Sequence, residues 1–148
     1  MHAFTSRQAK MAHGVIRYSR DTVVAVIDPD YAGQSVRDVL PYLESDAPIV
    51  ATLAEALRYE PTALLVGIAP AGGALPDDFR VAIVDALRAR LEVVSGLHTM
   101  LADDEELAGL ARTHDTRIWD LRLPPAAPLF SGAAWDVEAR IVLTVGSD

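Results

Sequence analysis

Four short apolar runs, separated by amphipathic helical patterns, constrain this chain more than any other feature. They are Val23-Val24-Ala25-Val26-Ile27, Ala63-Leu64-Leu65-Val66-Gly67-Ile68, Glu92-Val93-Val94-Ser95-Gly96 and Arg117-Ile118-Trp119-Asp120-Leu121. A shorter run, Pro48-Ile49-Val50, lies between the first two. Strands apolar at consecutive positions are covered on both faces, which is the condition of a parallel sheet between helical layers.

The intervening segments carry the helical period. Residues 6–18 place Ala9, Ala12, His13 and Ile16 on one face. Thr52-Leu53-Ala54-Glu55 has the Ser/Thr-x-x-Glu form of a capping box and starts a helix to about Tyr59. Residues 77–90 repeat Phe79, Ile83, Ala86 and Leu87 at i, i+4, i+7 and i+8. Asp103, Asp104, Glu105 and Glu106 crowd the start of a further helix, where the dipole favours anions, and Arg112 and His114 close it. Four acids in a row read as a solvated helix start rather than a metal site. Strand and helix thus alternate four times through short connections. The expected fold is an α/β, Rossmann-like three-layer domain with a mainly parallel sheet and right-handed crossovers. Residues 32–46 read as a looser connection.

Composition narrows the function classes. The chain has 148 residues and a formal charge of −8, with its basic residues scattered, so it lacks the clustered positive surface of a nucleic-acid binder. It has no cysteine, which excludes disulfides, thiolate metal sites and a cysteine nucleophile. No His/Asp/Glu spacing suggests a metal, and no Ser/His/Asp arrangement has spacing support. There is no run of about 18 apolar residues for a membrane span, and no signal-peptide pattern, so a cytoplasmic location is expected.

In open parallel sheets ligands bind outside the carboxyl ends of the strands. That rule selects Asp28, the loop containing Ala69, Pro70, Gly72 and Gly73, then Ser95, Gly96 and His98, and finally Arg122 beside Asp120. Asp28 stands about where a dinucleotide fold hydrogen-bonds ribose, about 20 residues past a helix-opening loop. That loop would hold Thr5 and Ser6, with Lys10 in the following helix. The alternative is that Asp28-Pro29 merely turns the chain, and the Gly-x-Gly-x-x-Gly fingerprint is missing. Gly72 and Gly73 either admit a phosphate close to backbone or permit a tight surface loop. His98 is either a general acid/base or phosphate partner, or a side chain packed under the next helix. His13 reads as a packing residue.

Several stretches resemble a bacterial and archaeal family labelled NAD-dependent epimerase/dehydratase. They are Lys10-Met11-Ala12-His13-Gly14-Val15-Ile16-Arg17-Tyr18, Val24-Ala25-Val26-Ile27-Asp28, Gly33-Gln34-Ser35, Gly67-Ile68-Ala69-Pro70-Ala71-Gly72-Gly73, Val94-Ser95-Gly96-Leu97-His98, Ile118-Trp119-Asp120-Leu121-Arg122 and Val142-Leu143-Thr144-Val145-Gly146-Ser147-Asp148. The resemblance implies an N-terminal Rossmann-like domain joined to a C-terminal P-loop NTPase-like domain, with some members acting as N-acetyltransferases of D-glutamate catabolism. On that pattern residues 1–122 are the Rossmann-like domain and residues 123–139 a Pro-rich connector. Residues 140–148 are then the first strand and P-loop start of the second domain. Family members also carry a strand before the first helix, and here that strand is missing. It would lie mid-sheet, so the C-terminal strand or a second copy of the chain is expected to cover the exposed edge.

Three readings of function follow. The first is a module for a nucleotide-type ligand, with acetyl-CoA, NAD(P) or ATP as candidates, in which Asp28 takes the ribose. Gly72, Gly73, Ser95 and Gly96 would take the phosphates, and His98 and Arg122 would face the reacting end. The second is an NAD-dependent epimerase or dehydratase, although a Tyr-x-x-x-Lys pair is lacking. The third is a structural domain that forms a homo-oligomer.

Overall fold

The structure is a computed structural model and describes residues 2–70, 72, 75–124, 126, 132 and 138. The elements follow the expected alternation: α1 (Lys10–Tyr18), β1 (Val26–Ile27), α2 (Val36–Val39), β2 (Ile49–Val50), α3 (Leu53–Ala56), β3 (Ala63–Val66), α4 (Asp77–Arg88), β4 (Glu92–Ser95), α5 (Glu105–Thr113) and β5 (Ile118–Asp120). All named strand pairs are parallel. The fold is therefore α/β and Rossmann-like, as the runs imply.

The strands form two sheets rather than one. β1 pairs with β2, while β3, β4 and β5 form a second ladder in that order. Ala63 to Val66 stand opposite Glu92 to Ser95, and Val93 to Ser95 stand opposite Ile118 to Asp120. The run at residues 23–27 narrows to Val26–Ile27 as ladder, held by Val26 N–H to the Pro48 carbonyl and Asp28 N–H to that of Val50. A parallel strand needs a neighbour to satisfy its backbone, and Val23, Val24 and Ala25 instead line a cleft between β1 and β3.

The main core lies where α4 and α5 meet one face of the larger sheet. Ile83, Ala86, Leu87, Leu107 and Ala111 pack there on Val66, Ile68, Val93 and Leu97. Alternation along each strand sends the other set, Leu65, Val94 and Trp119, to the opposite face. A smaller cluster of Phe4, Val36, Leu43 and Ile49 closes the β1–β2 side. α1 crosses the opposite face at its upper end, and two glycines make that approach possible. A Cβ built on Gly67 would lie 2.7 Å from the Ala12 Cβ, and one on Gly96 would strike the end of the Met11 side chain.

Asp103 to Glu106 do open a helix, as expected, but they are more than a solvated start. Asp104 is the N-cap of α5, accepting from Leu107 N–H at 3.1 Å. It also takes both Arg80 nitrogens, at 2.7 and 3.1 Å, and Arg80 reaches Glu106 at 2.6 Å. The Arg80 guanidinium and the Leu107 amide hold the Asp104 carboxyl down to about 2. A carboxyl depressed on folding contributes stability above its unfolded pKa and loses it as pH falls through the folded value. The window is therefore about pH 4 to 2. Asparagine keeps the cap, so Asp104→Asn isolates the ion pair. With both partners about one-third exposed, the loss is expected to be about 1 kcal/mol at pH 7 and to vanish near pH 2. Urea unfolding of both proteins across pH 2–7 measures it.

Candidate functional site

Parallel topology brings the carboxyl ends of β1, β3, β4 and β5 to one edge of the molecule, and most of the candidate residues collect there. The N-terminal segment is laid across this edge by hydrogen bonds. Ala3 and Phe4 N–H donate to Asp28 Oδ2 at 3.1 and 2.8 Å. Ala69 N–H donates to the Gln8 carbonyl at 2.7 Å, and Ala12 N–H to that of Gly67 at 3.0 Å. Residues 3–12 therefore bridge the ends of β1 and β3, above the gap between the two sheets.

Asp28 is the most buried charged residue here, only 1% exposed. Its Oδ1 accepts from Asp30 N–H at 3.0 Å, which caps the single 3-10 turn Pro29–Tyr31. Three backbone donors thus share one carboxylate. A carboxylate has about four acceptor positions, so one remains beyond this turn-forming role. Ser95 is fully buried and its Oγ accepts from Leu97 N–H at 3.2 Å, folding the chain back after β4. Gly96 is buried and its carbonyl accepts from Arg122 Nε at 2.9 Å, which pins Arg122 beside the β4 loop. Asp120, which ends β5, accepts from Leu101 and Ala102 N–H at 3.0 and 2.9 Å and so anchors the loop after His98.

The exposed candidates surround this frame. His98 is exposed, against the alternative that it packs under the next helix. Thr5 Oγ1 lies 3.0 Å from the Tyr31 hydroxyl, Ser6 Oγ accepts from Gln8 N–H, and Lys10 is exposed at the start of α1. Ala69 and Gly72 are exposed and Pro70 is half-buried, whereas Gly73 lies outside the described residues. The same holds for residues 140–148 and most of the 123–139 connector.

Further side chains at this edge join through tertiary contact. His13 Nε2 lies 2.6 Å from the Phe4 carbonyl and its Nδ1 3.0 Å from the Tyr42 hydroxyl, so it ties α1 to the smaller core in the packing role expected of it. Tyr31 and Tyr42 join through tertiary contact alone. His2, Asp28 and Asp30 place three ligand-type atoms within 4.8 Å of one another. Here His2 pairs with Asp30 at 2.8 Å and Asp28 is occupied by backbone donors, so these contacts account for the cluster. Among the described residues no buried side-chain polar atom lacks a hydrogen-bond partner. Nor is any described helix long and apolar enough to cross a membrane.

A cleft of about 910 Å³ lies not at this edge but below it, between β1 and β3. Of the candidate residues only Asp28 lines it, with Ala3 and Phe4 at the same end.

Comparison with known proteins gives a consistent picture. Residues 29–124 match the model of a domain of unknown function described as the DUF1611_N Rossmann-like domain. A D-glutamate N-acetyltransferase from Pseudoalteromonas sp. is 31% identical over 97 residues, covering 66% of this chain and 29% of that protein. A second D-glutamate N-acetyltransferase, from Tritonibacter scottomollicae, is 31% identical over 98 residues with the same coverage. The chain therefore spans about three-tenths of the length of these relatives. A crystal structure of a DUF1611 family protein from Anabaena variabilis superposes with a TM-score of 0.79 at 41% identity, covering 88% of this chain and 38% of that one. The match extends over about two-thirds of the sequence and over β2 to β5, and on that ground this chain belongs to the DUF1611_N family of Rossmann-like domains.

Proposed function

We propose that this chain is a nucleotide- or acyl-CoA-binding module, and that the longer proteins built on it transfer an acetyl group to D-glutamate or a similar amino acid. The observation that carries the reading is the common edge formed by residues 3–10, Ser95 to His98 and Arg122, in a chain whose relatives are named D-glutamate N-acetyltransferase. Acetyl-CoA presents an adenosine diphosphate and a thioester. Lys10 at the start of α1 and Arg122 bring positive charge suited to phosphates, and His98 is exposed near Gly96. In this reading the module binds and orients, and the remainder of the longer protein supplies the transfer chemistry.

Thermal unfolding with acetyl-CoA, NAD(P) and ATP tests the proposal. Acetyl-CoA at 100 times its Kd is expected to stabilise the chain by about 2.7 kcal/mol, or about 5–10 °C for a domain of this size. Arg122→Ala should remove that shift while changing the ligand-free Tm by no more than about 2 °C, since Arg122 is exposed and, among the described residues, makes one side-chain hydrogen bond, to the Gly96 carbonyl. A shift with NAD(P) alone would support the epimerase/dehydratase reading instead. Absence of any shift would support a structural role, which the three backbone donors on Asp28 also favour.

A further inference from the structure

A second cavity, of about 290 Å³, lies beside β2, and no residue of β1 or of the candidate edge lines it. Three parts of the chain border it: the Gly33-Gln34 segment, β2 itself, and Glu55, Arg58 and Tyr59 in and just after α3. The first part is clamped to the strand. Gly33 N–H donates to the Ile49 carbonyl at 2.9 Å, and Ile49 N–H to that of Gln34 at 2.8 Å. Gly33 has a φ of 89°, which glycine adopts without steric cost, and a Cβ built there would meet nothing within 4 Å. The wall at this point is therefore fixed, bare backbone.

The charges on the opposite part are held apart. Glu55 and Arg58 stand at i and i+3, a spacing that ordinarily joins opposite charges on a helix. Here Glu55 Oε2 turns back to accept from Ala51 N–H at 3.0 Å, and the chain tightens into a 3-10 turn at Leu57–Tyr59. Among the described residues nothing donates to the second Glu55 oxygen, and the side chains of Arg58, Gln34 and Tyr59 have no hydrogen-bond or ion-pair partner. One cavity thus presents a carboxylate oxygen, a guanidinium, a primary amide and a phenol ring, all unengaged. The Tyr59 ring is 44% exposed.

An anion seated here would be repelled by Glu55, and a cation by Arg58. A molecule that carries both charges a few ångströms apart satisfies both. We propose that this cavity binds a free amino acid with an uncharged side chain. Its ammonium group donates to Glu55, its carboxylate accepts from Arg58, whose guanidinium can serve both oxygens, and its side chain lies along Tyr59 and β2 within reach of the Gln34 amide. The size agrees, because pockets for drug-sized ligands begin at about 300 Å³ and this one suits something smaller. The lining holds one cation and one anion, so a further charge on the ligand would have no counterpart. D-glutamate, the substrate in the names of the relatives, carries such a charge. The site is therefore distinct from an acetyl-acceptor site, and the inference does not rest on the ligand reading above.

Titration of the isotope-labelled chain with racemic leucine and racemic glutamine, the apolar and the amide case, tests the proposal. At least one should give saturable amide shifts at Gly33, Gln34, Ala51, Glu55 and Arg58, with a Kd of about 1 mM for so small a ligand at an open site. Residues 96–98 and 120–122, where acetyl-CoA is expected, should not move, so either reading can fail alone. For leucine, 4-methylpentanoate lacks the ammonium and 3-methylbutylamine the carboxylate, and each should bind about tenfold more weakly or worse. Glu55→Gln keeps an oxygen for Ala51 N–H, and Arg58 is exposed, so Glu55→Gln and Arg58→Gln should both fold and each weaken binding about tenfold. Absence of saturable shifts with both amino acids at about 20 mM would overturn the proposal. So would equal binding of the one-charge analogues, or affinity unchanged in both variants. Binding of D-glutamate as tight as that of the uncharged amino acids would also overturn it.

Discussion

Asp28→Ala is expected to lower the unfolding free energy by about 3 kcal/mol, the largest effect of any single substitution at the candidate site. The carboxylate accepts from Ala3, Phe4 and Asp30 N–H, and the Phe4 bond is buried. Removing it leaves donors without partners in a site from which water is largely excluded, and hydrogen bonds to a charged group are each worth about 1.5–3 kcal/mol. The loss spreads beyond one turn, because those two N-terminal amides hold residues 3–9 over the ends of β1 and β3. Phe4 then loses its seat in the smaller core with Val36 and Ile49. Asp28→Asn retains an acceptor oxygen but not the charge and should fall between the two. Chemical denaturation of the three proteins checks the order, and equal stability of Asp28→Ala and the unaltered chain would remove Asp28 from the structural role assigned to it.

Gly67→Ala is expected to cost about 2 kcal/mol, through overpacking rather than backbone strain. The added methyl would sit 2.7 Å from Ala12 Cβ and 3.3 Å from Ala12 Cα, both rigid parts of α1. Because Ala12 N–H also donates to the Gly67 carbonyl, α1 cannot move away without stretching that bond. Gly96→Ala makes the useful contrast. The obstruction there is the end of the Met11 side chain, which has rotamers to spare, so the cost should be smaller. A double-mutant cycle with Ala12→Gly separates the contact from other effects. Ala12→Gly alone costs about 1 kcal/mol in helix propensity, yet it should recover most of the Gly67→Ala loss when the two are combined. Additive losses would show that α1 does not rest on Gly67.

Much of this fold was legible because its strands are buried on both faces, so each announces itself as an unbroken apolar run. Residues 63–66 and 92–95 fell where those runs predict, and α4 followed the spacing of Phe79, Ile83, Ala86 and Leu87. Residues 32–46 looked loose because α2 is four residues long, too short to display a period. Its signal was present all the same in Ser35-x-x-Asp38, where each side chain bonds the other residue's backbone as a capping box. The division of the sheet was not legible from the runs themselves. Residues 23–27 and 63–68 look alike as sequence, and only pairing shows that one is short of a neighbour. Arg80 was equally hidden, since its partners Asp104 and Glu106 are brought to it by the packing of α4 on α5.

The candidate site divides along the same line. Strand ends are readable, so Asp28, Ser95, Gly96 and Arg122 could be picked out in advance. What their atoms do is tertiary. The Asp28 carboxylate serves the N-terminal segment and the Ser95 hydroxyl its own loop, while the Arg122 guanidinium grips the Gly96 carbonyl. These contacts hold the strand ends in place, and under the binding proposal His98, Lys10 and Arg122 are the side chains that would meet the ligand.

Titration of the isotope-labelled chain with acetyl-CoA, followed amide by amide, tests the binding proposal most directly. Saturable shifts concentrated at residues 5–10, 96–98 and 120–122, with β2 and α3 unmoved, are the predicted result. Shifts centred instead on the β1–β3 cleft, or none at millimolar ligand, would contradict it.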